Sequence, residues 1–135
     1  MRTFNRVLLA LLTVFSFMTS LPAFAGEKAT KTDASCCVTD CASCARTCED
    51  TLAYCREKGG EHASAEHIKV LEDCTAMCKL SSDFSKRGSA FAPKVKALCA
   101  EICKKCAESC AAFKDDKKMQ DCASACNDCS TTCSK

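Results

Sequence analysis

The chain has 135 residues and a mass of 14.5 kDa, which leaves room for one small domain. Its 19 basic and 17 acidic residues give a net charge of +2, so it carries no electrostatic footprint for nucleic acid or an anionic membrane. Sixteen cysteines, about twelve per cent of the chain, exceed the roughly 8–10 % above which a short sequence is held by its sulfurs, and an ordinary soluble enzyme domain fits that composition poorly.

The first stretch reads as a targeting segment. Arg2 and Arg6 form a basic start, residues 7–17 are apolar apart from Thr13 and Ser16, and Ala23-Phe24-Ala25 matches an A-x-A cleavage site. Together they predict a secretory signal peptide over residues 1–25. The apolar run is shorter than the roughly 20 residues a spanning helix needs. Arg2 and Arg6 are not adjacent, which favours the general export route over the twin-arginine route for folded proteins. The expectation is a periplasmic or secreted protein that takes up any metal after export and has no membrane association once the signal is removed. Cleavage after Ala25 leaves 110 residues with 17 basic and 17 acidic side chains.

Breakers divide the remainder. Residues 26–35 are polar and read as a flexible leader, with Asp33 or Ser35 capping the first helix. Helix one is predicted over about 36–58 and stops at Gly59-Gly60. Ser64, Glu66 and His67 open helix two, which turns Ile68, Leu71, Cys74, Met77, Cys78 and Ser81 inward and ends at Lys86-Arg87-Gly88. Helix three follows Ser89, tolerates Pro93 in its first turn and reaches Phe113. A polar turn at residues 114–118 leads into helix four, about 117–133. Glycine and proline are sparse and no run of alternating β-branched residues competes, so the class is all-α. Short connections pack four such helices as an antiparallel up-down-up-down four-helix bundle over residues 36–135.

Cysteine spacing is the strongest signal. Cys37, Cys41, Cys44 and Cys48 step by 4, 3 and 4, as do Cys99, Cys103, Cys106 and Cys110, and again Cys122, Cys126, Cys129 and Cys133. Three copies of C-x3-C-x2-C-x3-C place each set of sulfurs on one helical stripe facing the neighbouring helices. After Gly26 the chain holds only 15 large apolar side chains against 16 cysteines, so thiols must fill the interior. In the bundle one end collects Cys55, His62, His67, Cys110, Met119 and Cys122. The other collects Cys36, Cys37, Cys133 and the apolar bulk of Phe84, Phe91 and Val95. That asymmetry suggests metal entering and leaving at the first end.

A core of inward thiols admits few chemistries. A disulfide scaffold suits an exported chain, but thiols at i, i+3 or i+4 on one helix have parallel Cα–Cβ vectors and do not easily meet the S–S torsion. Helix two offers only Cys74 and Cys78 as partners for the other three helices. Structural zinc needs closed sets of four ligands and far fewer cysteines. Iron–sulfur ligation lacks the expected C-x2-C step and the proline after the last cysteine, where Glu49, Ala111 and Ser134 stand. Cu(I) accepts low coordination and shared thiolates, and two sulfurs per ion with each sulfur shared by two ions allows on the order of one ion per thiol. Enzymatic constellations are missing: every C-x-x-C lies inside a helix with no strand before it, and no nucleophile can be paired with His62 or His67. Two alternatives without metal stay open: a secreted structural or interaction protein stapled by disulfides between helices, and a thiol redox buffer.

With its three cysteine repeats, four helices, sparse-cysteine second helix and signal peptide, the sequence resembles the bacterial copper storage proteins over roughly residues 36–134. The resemblance implies a non-enzymatic bundle that holds many Cu(I) ions as cargo. Carried over by position, it implies as ligands Cys37, Cys41, Cys44, Cys48, Cys55, Cys74, Cys78, Cys99, Cys103, Cys106, Cys110, Cys122, Cys126, Cys129 and Cys133. Cys36 is off the stripe. The family uses Met or His at the open end, which here implies Met119 and His67, and some members associate as oligomers of bundles. The implied partners are copper ions, copper donor or acceptor proteins, and further copies of the chain. The sequence departs from the family in its few methionines, in lacking a twin-arginine signal and in having no Met near the start of helix one.

Overall fold

A computed structural model describes residues 31–135, with side chains from Cys37 onward. The signal peptide and the first part of the leader lie outside the described residues, as does the side chain of Cys36. Four helices form: α1 (Lys31–Lys58), α2 (Ala65–Lys86), α3 (Ala92–Ala111) and α4 (Lys117–Cys133), with a short 3-10 turn, Gly60–Ala63, between α1 and α2. There is no strand among the described residues. None of these helices is long and apolar enough to cross a membrane.

Helix boundaries follow the local chemistry. α1 starts five residues earlier than the composition suggested, so residues 31–35 belong to the helix and not to the leader. No glycine or proline separates Lys31 from Lys58, so nothing in that stretch stops the helix from growing towards its N-terminus. The end of α1 is closed by Gly59, whose φ of 73° lets its N–H reach the Cys55 carbonyl at 3.1 Å. Gly88, at φ 62°, ends α2 in a Schellman motif: its own N–H bonds the Ser85 carbonyl and that of Ser89 bonds Phe84, at 3.1 and 3.0 Å. Pro93 sits in the first turn of α3, where its missing N–H costs nothing. That helix stops at Ala111, two residues short of the expected Phe113, which instead begins the polar turn. Asp116 caps α4 by accepting the Met119 N–H.

The helices pack as α1 with α2, α2 with α3, α3 with α4 and α4 with α1, while the backbones of the diagonal pairs stay apart and meet only through side chains such as Cys74 with Cys126 and Cys78 with Cys129. This square arrangement leaves a central column. Four interior rows fill it at alternating steps of 3 and 4. α1 contributes Cys37, Cys41, Cys44, Cys48, Thr51 and Cys55; α2 contributes His67, Leu71, Cys74, Cys78, Ser81 and Ser85. α3 adds Cys99, Cys103, Cys106 and Cys110, and α4 adds Met119, Cys122, Cys126, Cys129 and Cys133. Among the described residues, of 21 buried apolar ones 15 are cysteine and four are alanine (Ala45, Ala100, Ala107, Ala123), leaving Leu71 and Met119 as the only large ones. Ordinary hydrophobes such as Leu52, Ile68, Val70, Met77 and Ile102 pack around this core at half burial. Phe91 is 63 % exposed and Phe84 lies under Arg87, so these aromatic residues stand outside the column at the far end. Cys37, Ser81 and Ser85 close it, because the α2 row continues in step past Cys78 with hydroxyls.

Candidate metal centre

All 15 described ligand candidates are free thiols and buried. Their sulfurs form five groups of four in which every pair lies within 4.8 Å. The groups are ordered along the bundle axis. Cys41, Cys99, Cys129 and Cys133 form the first, sharing Cys99 and Cys129 with the second, which adds Cys78 and Cys103. These two reappear with Cys44 and Cys74 in the third, which in turn meet Cys48 and Cys126 in the fourth; the fifth joins Cys48 and Cys126 to Cys106 and Cys122. Every successive pair of groups therefore shares two sulfurs, and every group combines two thiols at i and i+4 of one helix with one from each of two others. The 3/4 spacing of the sequence is what makes this possible: it keeps a thiol from each row at almost every level.

Contacts between sulfurs fall at 3.2 Å for Cys41 to Cys133, 3.4 Å for Cys78 to Cys103, 3.6 Å for Cys48 to Cys126 and 3.7 Å for Cys74 to Cys103. A metal–sulfur bond near 2.3 Å separates two sulfurs by about 4.6 Å when two-coordinate and linear and by about 4.0 Å when trigonal. The column can therefore accept ions with displacements under about an ångström. Burial opposes ionisation of these thiols without metal, while contacts among them favour it at some, such as Cys44 and Cys99, and oppose it at others. Cys126 is pushed far above the ordinary thiol range, first by Cys106 and Cys122, and Cys78 likewise by Cys103 and Cys129. A soft cation that binds here must displace protons.

Cys110 continues the α3 row one turn past Cys106, and the neighbouring Cys106 and Cys122 thiols together with burial raise it. Beyond it lies a chemically different end. Cys55 Sγ is 3.6 Å from His67 Nε2 and donates to Met119 Sδ at 3.6 Å. Burial pushes the Cys55 thiol up to about 11, with Cys122 adding to the rise. Burial also lowers His67, favouring its neutral imidazole. His67 Nδ1 lies 2.7 Å from Ser109 Oγ and its ring leans on Phe113 at 5.0 Å, which turns Nε2 towards Cys55. A shallow pocket of about 300 Å³, bordered by Glu61, Glu66, Ser109 and Phe113, brings solvent to His67.

The connections around this end are tied down by a residue that sequence reasoning assigned to a solvated turn. Asp116 Oδ2 accepts from Tyr54 Oη at 2.7 Å, from Lys58 Nζ, and pairs with His62 Nε2 at 3.0 Å. Lys58 first and Tyr54 second hold its carboxyl below the usual carboxylate range. His62 stacks on Phe113 at 4.2 Å. Ser109 and Asp116 carried no sequence signal beyond polarity, since their partners come from other helices. Ser81 is buried where the sequence placed it, and Thr51 and Ser85 could have been found by extending the cysteine stripes at steps of 3 and 4.

The fold and the column define a thiol-lined four-helix bundle built to hold soft metal ions. A family model described as copper storage protein matches residues 30–135, and the chain belongs to that family. Among solved structures, the Nmul_A1745 protein of Nitrosospira multiformis is 36 % identical, with a TM-score of 0.71 over 77 % of this chain and 94 % of that one. The Cu(I)-bound copper storage protein BsCsp3 is 28 % identical, with a TM-score of 0.71 over 76 % and 95 % of the two chains. Apo-Csp3 from Bacillus subtilis is 30 % identical at a TM-score of 0.66, covering 74 % of this chain and 94 % of its own. No curated protein is matched by the sequence.

Proposed function

We propose that this protein stores or sequesters many Cu(I) ions as thiolate complexes inside the bundle, at about one ion per thiol, without catalysing a reaction. The observation that carries this reading is the run of five four-thiol groups, each sharing two sulfurs with the next. Sharing is what multinuclear Cu(I)–thiolate chemistry uses and what isolated zinc sites do not need. Ligands are the 15 buried cysteines from Cys37 to Cys133. Ions enter and leave at the Cys55, His67 and Met119 end, where thioether and imidazole bind more weakly than the thiolates behind them. The chain carries an export signal in residues 1–25, acts in the periplasm or outside the cell, and exchanges copper with donor or acceptor proteins there.

The test is anaerobic titration of fully reduced protein with Cu(I) in the presence of a chromogenic high-affinity chelator, with thiols counted in parallel. Copper withheld until about one ion per thiol has been added supports storage. Immediate transfer to the chelator, or protein isolated without free thiols, supports the disulfide scaffold or thiol buffer instead.

Copies of the bundle associate along the α2–α3 seam. Phe91 and Leu98 are 63 and 46 % exposed, and with half-buried Val95 and Ile102 they make an apolar stripe at steps of 4, 3 and 4 on α3. Lys94 and Glu101 flank Leu98, so an antiparallel crossing of two α3 helices sets each lysine opposite the glutamate of the other copy. Leu98→Lys should lower the mass found by light scattering while leaving copper capacity unchanged. An unchanged mass would refute this interface.

A further inference from the structure

We propose that ions cross from the Cys55–His67–Met119 end to the storage column along one wall of the bundle, handed over by Cys110 and Cys122. The inference rests on the storage reading and adds a route to it. At the level just inside that end the four rows are not equivalent. α1 presents Thr51 and α2 presents Leu71, both completely buried. Leu71 has no ligating atom, and the Thr51 hydroxyl is a hard oxygen already donated to the Thr47 carbonyl at 2.8 Å. α3 and α4 present Cys110 and Cys122 at the same level, one turn beyond Cys106 and Cys126 on their rows and both completely buried.

The connections on either side fit a hand-over. Towards the solvent, Met119, which touches Cys55, is three residues before Cys122 on the same row. Towards the column, Cys122 belongs to the terminal four-thiol group with Cys48, Cys106 and Cys126, and Cys110 follows Cys106 by one turn on the α3 row. A Cu(I) ion moving inward can thus exchange one sulfur at a time along α3 and α4, while the α1 and α2 side is insulated. Cys110 is set apart from the other α3 thiols: it belongs to none of the five four-thiol groups, yet it lies where the two compartments join.

The experiment compares Cys110→Ser with Cys133→Ser, a thiol removed from the opposite end, using anaerobic stopped-flow uptake of Cu(I) by apo protein and removal by excess chelator. Both variants should lose a similar small part of the capacity. Cys110→Ser should load and unload roughly tenfold more slowly, whereas Cys133→Ser should keep the wild-type rates. Adding Thr51→Cys, a nearly isosteric change that completes the α1 row, should restore the rate of Cys110→Ser. Equal rates for the two single variants, or no rescue by Thr51→Cys, overturn the route while leaving storage intact. Loss of copper retention in the wild type shows up as capacity, not rate, and removes the storage reading together with the route built on it.

Discussion

The sharing of sulfurs between groups predicts that cysteines are unequal in what they hold. Cys126 belongs to two of the five groups and lies 3.6 Å from Cys48, 3.8 Å from Cys44 and 3.9 Å from Cys74. Cys37 belongs to none and touches Cys41 and Cys133 at the end of the column, at 3.5 and 3.7 Å. If each sulfur within the column bridges two ions, Cys126→Ser removes a ligand from two of them, and its hard oxygen does not replace the thiolate. Capacity should fall by about two ions for Cys126→Ser and by no more than about one for Cys37→Ser. The same substitution places a hydroxyl among thiols that are weak hydrogen-bond partners, destabilising the apo bundle by about 1–3 kcal/mol. Titration against a chelator reads the first effect and urea unfolding of apo protein the second. Equal losses of copper for the two variants would show that ions sit at separate sites, and the argument from shared sulfurs would fail.

Further outcomes follow from the polar end. Cys55 is raised from 9.0 to about 11 by burial and Cys122, so its contribution to apo stability is complete below pH 9 and disappears as pH rises through 11. At about 1.4 kcal/mol per unit, Cys55→Ala should remove up to roughly 3 kcal/mol of the loss seen between those limits in pH-dependent urea denaturation. His67 is shifted the other way by burial, so its contribution is present above the ordinary imidazole value of 6.5 and is lost as pH falls below it. His67→Gln should flatten that acid limb in the same assay. Asp116→Ala frees Tyr54, Lys58 and His62 and uncaps α4, so hydrogen exchange should quicken at residues 117–120 and in the 60–63 turn, with copper capacity unchanged.

The architecture was legible in the sequence because pattern and breakers agreed. Gly59, Gly88 and Pro93 stand within a residue or two of helix ends, and three rows of cysteines at steps of 4, 3 and 4 announced the inward faces. What the stripes could not show was pairing across helices. That Cys44 meets Cys126, or that Cys48 meets Cys74, depends on the vertical register of α1 against α4 and α2, which the connecting turns set. The start of α1 was misplaced because a polar composition was read as a leader although nothing in it breaks a helix. Phe84 and Phe91 were placed at the far end from their position in the chain, but that could not show that they lie off the α2 and α3 rows, outside the column. Asp116 was hidden in a run of charges, and only the fold brings Tyr54, Lys58 and His62 to it.

A column of thiols stabilises a bundle differently from a column of leucines. Cysteine behaves as a small hydrophobe, so each buried thiol contributes less to the apo fold than a large aliphatic side chain would. Among the described residues Leu71 and Met119 are the only large apolar side chains completely enclosed, and both lie towards the Cys55 end. The apo bundle therefore depends on its capped helix ends, on the alanines that let helices approach, and on the half-buried rim of Leu52, Ile68, Val70 and Ile102. Ions bound by thiolates from three helices at once stabilise the folded state in proportion to their affinity, since the unfolded chain offers no such preformed groups. The same residues thus serve as core and as binding site, and the stability of the loaded bundle rises with the amount of cargo it carries.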